Sequence, residues 1–219
     1  MLLGIALTAL LGAVLLPSGV PPILDSVKRR VMARARARMF AMAAGEGIGP
    51  SSMCLPLAAF MIEEADKEGI RLVLQAGSVF WERMPGWLDD GVSPTHFGYQ
   101  WSLEEARANI AMERFPEIHV WAGDPVRQDV VDASAGDFPA QCRAILDMDW
   151  PGMKPPPFLW ASAEGIPKGA CYVPDRDATL FAHAVLQGRV ATVARPPLEK
   201  YGISPPLLAA LLIPSVPPL

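Results

Sequence analysis

The sequence predicts one α+β domain, spanning residues 22–194, in which N-terminal helices pack on an antiparallel sheet. The first observation is a segment that starts at Cys54 and repeats apolar residues with the period of a helix. The second is a pair of alternating segments between Glu117 and Asp132, joined by turn residues, which is typical of a β-hairpin. The third is the composition: the chain has 219 residues, 51% hydrophobic and 19% charged, which is enough to bury a core.

Charge and cysteine content argue against several classes of protein. The chain carries 19 basic and 23 acidic side chains and a net charge of -4, which disfavours a nucleic-acid partner. The cysteines Cys54, Cys142 and Cys171 form no C-x-x-C pair and are too few for a disulfide framework. Because this usage fits a reducing compartment, we expect a cytoplasmic protein, free or tethered to the cytoplasmic face of a membrane.

The two ends of the chain differ from its middle. Residues 1–21 are an apolar leader whose first part, Met1–Leu16, is shorter than the roughly 20 residues of a comfortable membrane span. Basic residues follow at 28–30, so an anchor would leave the rest of the chain in the cytoplasm. A signal peptide, a membrane anchor through residues 1–16 and a mis-called start remain open. Residues 195–219 form a proline-rich apolar tail.

Residues 23–44 predict the first helix, with an apolar side that three arginines interrupt: Arg34, Arg36 and Arg38. A basic stripe of this kind can bind nucleic acid or an anionic membrane surface. No aromatic stacking platform lies between the arginines, so we favour a solvated helix face with partly buried arginine stems.

The second helix is predicted to start at Cys54. Its apolar stripe has helical spacing and consists of Cys54, Leu57, Ala58, Met61, Ile62 and Ala65. Charged residues from Glu63 to Glu68, including Lys67, fill the other side, Gly69 is the expected stop, and Ser51 or Ser52 is the expected N-cap. In the first turn, free backbone N–H groups and the helix dipole favour a thiolate. Cys54 is therefore either a nucleophile or a small buried apolar residue.

The alternating segments Glu117–Ala122 and Val126–Asp132 predict a hairpin about the turn Gly123–Pro125. With its centre between residues 124 and 125, His119 faces Val130, and Asp132 becomes the diagonal neighbour of His119 on the same face. A carboxylate there would fix the tautomer of the imidazole and leave the other ring nitrogen to accept a proton from a thiol. The alternative is that both are ordinary surface or edge residues.

The remaining elements are weaker predictions. Trp101 ends an aromatic strand, and a capping box at Ser102 and Glu105 starts a further helix. We also expect a short helix through Ile145, strands at 158–161 and 170–173 with Cys171 in the core, and a last helix at 177–193. Aromatic residues of the loops 81–87 and 150–160 either cover the sheet edges, which we prefer, or line a substrate cleft.

These motifs occur in a familiar order. A cysteine opens a helix that runs to Gly-Ile-Arg at 69–71, a strand ends in Gly-Ser at 77–78, and His-Val-Trp at 119–121 precedes Val-Val-Asp-Ala-Ser at 130–134. Over residues 49–138 this resembles the transglutaminase-like branch of the papain-like cysteine enzymes. The pattern departs from the family at Ser51, where the family has glycine.

The resemblance implies a papain-like fold and acyl transfer through a thioester on a small-molecule or peptide amide or ester, with no cofactor and no metal. By residue, it implies Cys54 as nucleophile, His119 as general base and then acid, and Asp132 as its orienting partner. The oxyanion would be held by the Cys54 backbone N–H and by Gln100 or the indole N–H of Trp101. The alternative function is a non-catalytic binding or assembly module with a vestigial triad. A zinc site of Cys54, His119, Asp132 and Cys171 ranks last.

Overall fold

A computed structural model describes residues 26–46, 53–82, 96–112, 116–150 and 153–187 of the chain. These residues form an α+β fold of five helices and a six-stranded antiparallel sheet, which confirms the predicted class. The predicted leader at 1–21 and the tail at 195–219 lie outside the described residues. No helix within the described ranges combines the length and apolarity that crossing a membrane requires.

The elements follow one another along the chain with short 3-10 turns at Ala135–Asp137 and Ala163–Gly165. The helices are α1 (Ser26–Glu46), α2 (Cys54–Asp66), α3 (Leu103–Ala111), α4 (Phe138–Leu146) and α5 (Arg176–Gln187). The strands are β1 (Val73–Glu82), β2 (His96–Tyr99), β3 (His119–Gly123), β4 (Val130–Asp132), β5 (Leu159–Ala161) and β6 (Ala170–Pro174).

Strand β1 organises the sheet. Its first half pairs with β3, with Gly77 opposite His119, and its second half pairs with both β2 and β6. Strands β4 and β5 extend the sheet beyond β3. The predicted end of this strand at Gly77-Ser78 is wrong, because β1 continues to Glu82 and there accepts β2 and β6 as partners.

The two faces of the sheet bury different cores. Side chains such as Leu74 and Val120 pack on one face against α2 and α5, and Val131 packs there against α1 and α2. The opposite face is aromatic, and Trp81 and Phe138 belong to the cluster that covers it together with α4. Alternation along β1 and β3 therefore places His119 on the aromatic face and its neighbour Val120 on the helical face.

The arginines of α1 are partly exposed, as expected, but they pair with carboxylates of α2, and one of those carboxylates is buried. Glu64 was expected on the exposed side of α2, yet it is 2% exposed and accepts hydrogen bonds from Arg34 Nε at 2.9 Å and Arg38 at 3.0 Å. The bond from Lys67 lowers the pKa of Glu64, burial opposes it, and the two arginines lower it further, to about 2. The basic residues of α1 thus hold two helices together.

The hairpin has a different register from the predicted one. Ala122 faces Val131 and Gly123 faces Val130, so each residue of β3 pairs four positions further along the chain than predicted. The predicted strand from Val126 begins only at Val130, because Asp124 Oδ1 accepts the backbone N–H groups of residues 126 and 127 and shapes a longer loop. Four is an even number, so every side chain keeps its predicted face.

Three local expectations have different outcomes. The predicted helix start at Ser102 is confirmed, since Ser102 Oγ accepts the Glu105 N–H at 3.3 Å as the N-cap of α3. The serine N-cap of α2 is wrong, because Met53 occupies that position and makes no side-chain cap bond. The prediction of Cys171 as a core residue is also wrong: it lies exposed on β6.

Candidate active site

Three elements bring the predicted site residues to one place. Cys54 is the first residue of α2, His119 is the first residue of β3, and Asp132 is the last residue of β4. The β3–β4 register places Asp132 opposite Trp121 and therefore diagonal to His119 on the same face. The structure thus joins residues that are 65 and 13 positions apart in the sequence, counted from Cys54 to His119 and from His119 to Asp132.

The contact between His119 and Asp132 is a buried hydrogen bond. Nε2 of His119 lies 2.8 Å from Oδ2 of Asp132, and the two side chains are 2% and 1% exposed. Their alternative interpretation as surface or edge residues is therefore wrong. A carboxylate on Nε2 fixes this nitrogen as the donor and leaves Nδ1 for another partner.

The carboxylate of Asp132 is saturated with hydrogen-bond donors. Oδ1 accepts the Ser134 backbone N–H at 2.7 Å and the Ser134 hydroxyl at 2.6 Å. Oδ2 accepts His119 Nε2 and the Tyr172 hydroxyl, each at 2.8 Å. Burial raises the pKa of Asp132, but His119, Ser134 and Tyr172 outweigh burial, and the pKa of the carboxyl falls below its usual value. Asp132 is therefore ionised at neutral pH.

Cys54 lies close enough to His119 to affect the pKa of the imidazole. Burial lowers the pKa of His119, whereas the charge and hydrogen bond of Asp132 and then those of Cys54 raise it, to about 10. Because Nε2 is bonded to Asp132, Nδ1 is the ring nitrogen left to accept a proton from a thiol. Cys54 is half-buried and lies in the first turn of α2, where backbone N–H groups favour negative charge.

Aromatic rings enclose the imidazole of His119. Tyr99 stacks on it at 5.7 Å and Trp121 at 5.9 Å, with interplanar angles of 16° and 21°. Phe138 lies at 5.1 Å and Tyr172 at 6.2 Å. These rings keep water away, and their faces favour a cation, so they support the protonated imidazolium.

The two predicted oxyanion donors differ in environment. Gln100 is exposed, whereas Trp101 is 8% exposed and packs on Phe181, in the apolar cluster that Cys54 also contacts. In the described part of the chain, Nε1 of Trp101 is buried without a hydrogen-bond partner. An unpaired buried N–H costs free energy that a bound oxyanion would recover. Protein atoms cover this nitrogen, so a substrate oxygen reaches it only when they move.

Sequence reasoning missed several residues of the site. Tyr99, Phe138 and Tyr172 come from three separate elements, β2, α4 and β6, that meet His119 only after the sheet has formed. No local pattern marks them, since each is an aromatic residue in an ordinary apolar segment. Ser134 is the serine of the Asp-Ala-Ser motif in the sequence. Its backbone N–H and its hydroxyl both donate to Asp132 Oδ1, which gives the serine of this motif a structural role.

A metal at this position finds no support in the geometry. Among the described residues, no group of three or more His, Cys, Asp or Glu side chains could hold a metal ion. Cys171, the fourth ligand of the zinc alternative, pairs with Phe80, while its neighbour Tyr172 pairs with Val79 on the His119 face. Cys171 therefore points to the opposite face of the sheet.

Comparison of the chain with protein-family models, with curated proteins and with solved structures found no match.

Proposed function

We propose that this protein is a thiol-dependent acyl-transfer enzyme with a Cys54–His119–Asp132 triad in a papain-like, transglutaminase-like domain. One observation carries the proposal: a buried imidazole is bonded to a carboxylate through Nε2, and the thiol at the start of α2 lies close enough to raise the pKa of that imidazole. This is the order of groups that activates a cysteine nucleophile.

The reaction starts from the ion pair in which His119 Nδ1 holds the proton of Cys54 Sγ. The thiolate attacks the carbonyl carbon of an amide or ester, a C–S bond forms, and the carbonyl oxygen takes the negative charge. The backbone N–H of Cys54 and, once uncovered, Nε1 of Trp101 stabilise that oxygen.

The intermediate then collapses to a thioester. His119 gives its proton to the leaving amine or alcohol as the C–N or C–O bond breaks. Water or an amine next attacks the thioester, His119 takes the proton of this nucleophile, and the C–S bond breaks to release the thiolate, which restores the ion pair. Water yields a carboxylic acid, and an amine yields a new amide. Asp132 holds the ring in place and stabilises the imidazolium throughout.

The substrate class that we propose is a small-molecule or peptide amide or ester. We place the reaction in a reducing compartment such as the cytoplasm, because Cys54, Cys142 and Cys171 are all free thiols in the structure.

The test uses the purified protein with p-nitrophenyl acetate and with peptide p-nitroanilides. Cys54→Ala and His119→Ala should abolish turnover, and Asp132→Ala should weaken it less. The matched control is Cys171→Ala, which removes an exposed thiol on the other face and should leave turnover unchanged. Mass spectrometry should find the acyl group on Cys54. Turnover by Cys54→Ala equal to that of the wild type would refute the proposal.

One observation favours the alternative, a non-catalytic binding or assembly module. His119 and Asp132 are nearly inaccessible, as expected for residues that only stabilise a core. Iodoacetamide distinguishes the two functions, because a thiolate reacts rapidly near neutral pH and an ordinary buried thiol does not.

A further inference from the structure

Tyr172 occupies a position in the site that the triad chemistry does not require. Its hydroxyl donates to Asp132 Oδ2 at 2.8 Å, the same oxygen that His119 Nε2 contacts. Strand β6 carries Tyr172 opposite Val79, two residues along β1 from Gly77, which faces His119. The pairing of β6 with β1 thus brings a phenol to a carboxylate that is 40 residues away in the sequence.

The charged and titratable groups around Asp132 come from several elements. They are His119 of β3, Tyr172 of β6, Cys54 of α2 through His119, and Arg36 of α1, which bonds the Ala133 carbonyl and Asp137. Ser134 adds two neutral donors on the other carboxylate oxygen. Tyr172 is therefore the neutral donor that shares Oδ2 with the imidazole.

The phenol of Tyr172 remains a donor over the whole working range of pH. Burial first, and then the charge of Asp132, raise the pKa of the Tyr172 phenol well above its usual value. Its hydrogen bond lowers the pKa of the Asp132 carboxyl. Loss of this donor would let the carboxyl take a proton at a higher pH, and a protonated Asp132 no longer stabilises the imidazolium.

We propose that Tyr172 is a positioning residue that fixes the Asp132 carboxylate against His119 and thereby sets the lower pH limit of Cys54 reactivity. This inference rests on the proposed thiol chemistry. Tyr172 acts through Asp132 and needs no contact with the substrate.

The test compares Tyr172→Phe with Tyr99→Phe. Both variants lose one phenolic hydroxyl from an aromatic ring beside His119, but the Tyr99 hydroxyl donates to Gln141 at 2.6 Å and not to Asp132. Each is made in a Cys171→Ser background, so that iodoacetamide reports Cys54. The rate of alkylation is measured as a function of pH, with circular dichroism as the check on folding.

We expect Tyr172→Phe to move the acidic limb of this profile upward by about one pH unit, the worth of one hydrogen bond to a charged group. Tyr99→Phe should leave the acidic limb in place. Equal acidic limbs in the parent and in Tyr172→Phe would overturn the inference, and so would equal shifts in the two variants.

A second measurement separates this inference from the proposed function. If Cys54 of the parent protein reacts only at alkaline pH, the proposed thiol chemistry fails. The role of Tyr172 is then tested by measuring the pH titration of the Asp132 carboxyl carbon by ¹³C NMR. The Asp132→Asn variant, which lacks this carboxyl signal, assigns it. A titration midpoint about one unit higher in Tyr172→Phe than in Tyr99→Phe supports the contact. Equal midpoints refute it. If acid unfolds the protein before Asp132 titrates, the pH midpoint of acid unfolding is compared between Tyr172→Phe and Tyr99→Phe instead, because protonation of Asp132 destabilises the folded state.

Discussion

Replacing His119 with glutamine should slow the alkylation of Cys54 by iodoacetamide at mildly acidic pH. Glutamine can still donate a hydrogen bond toward Asp132, but it cannot carry a positive charge. In the wild type the pKa of His119 is about 10, so the ring is an imidazolium at such a pH, and an imidazolium favours the thiolate form of a cysteine beside it. The variant keeps a polar side chain of similar size and loses the cation.

The size of the effect follows from the ionisation of the thiol. An ordinary cysteine with a pKa of about 8.5 is roughly 0.3% thiolate at about pH 6, so a cation that ionised such a thiol fully would increase the reactive form about 300-fold. Full ionisation at this pH needs a pKa about 3.5 units lower, and a Brønsted slope of about 0.4–0.5 then weakens the nucleophile roughly 25- to 55-fold. The net gain is about tenfold, so we expect the rate constant at about pH 6 to fall by up to about tenfold in His119→Gln.

The assay uses Cys171→Ser proteins and a stopped time course of Cys54 labelling read by mass spectrometry. Cys142 contributes little, because it is fully buried and burial raises the pKa of its thiol. His183→Gln is the matched control, since His183 lies exposed on α5. Equal labelling rates in the parent and in His119→Gln at about pH 6 would refute the ion pair, and with it the reasoning from geometry to nucleophile.

Packing, steric fit and pH each supply one further prediction. Phe138→Ala should lower the free energy of unfolding in urea by roughly 3–5 kcal/mol, because Phe138 is fully buried, whereas Phe40→Ala, 45% exposed in the wild type, should cost less than about 1 kcal/mol. Gly98→Ala should lower the melting temperature, because a Cβ there would collide with the backbone carbonyl of Val79 in the neighbouring strand; an unchanged melting temperature would contradict the β1–β2 register. His119 has a folded pKa of about 10, above its usual 6.5, so its stabilising contribution is complete below 6.5 and is lost as pH rises toward 10. Urea titrations of the wild type should show this alkaline loss, and His119→Gln should not.

The course of the β3–β4 hairpin shows how a local pattern can predict a contact through a wrong register. The predicted centre placed Val130 opposite His119, while the structure places Val130 opposite Gly123. The contact survives because strand side chains alternate with a period of two, and an even shift leaves Asp132 on the His119 face. The spacing of the motif therefore predicted correctly that His119 and Asp132 share a face, although it predicted the wrong residue pairs between β3 and β4.

The environment of the charged residues was beyond local patterns. Alternation of polar and apolar residues placed Glu64 on the solvent side of α2, yet α1 covers it with Arg34 and Arg38. Helix periodicity states which residues share a side, but which sides are covered depends on how helices pack. The same limit explains why Cys171 was expected in the core and lies exposed on β6.

The amino-acid sequence by itself determined the helix that begins at Cys54 and the shared face of His119 and Asp132, because helical and strand periods are local properties of the chain. Tertiary structure alone decided that Cys54 lies close to His119, that Tyr172 donates to Asp132, and that aromatic rings from β2 and α4 enclose the imidazole. These contacts join segments far apart in the chain, and they form only when β1 has paired with β2, β3 and β6.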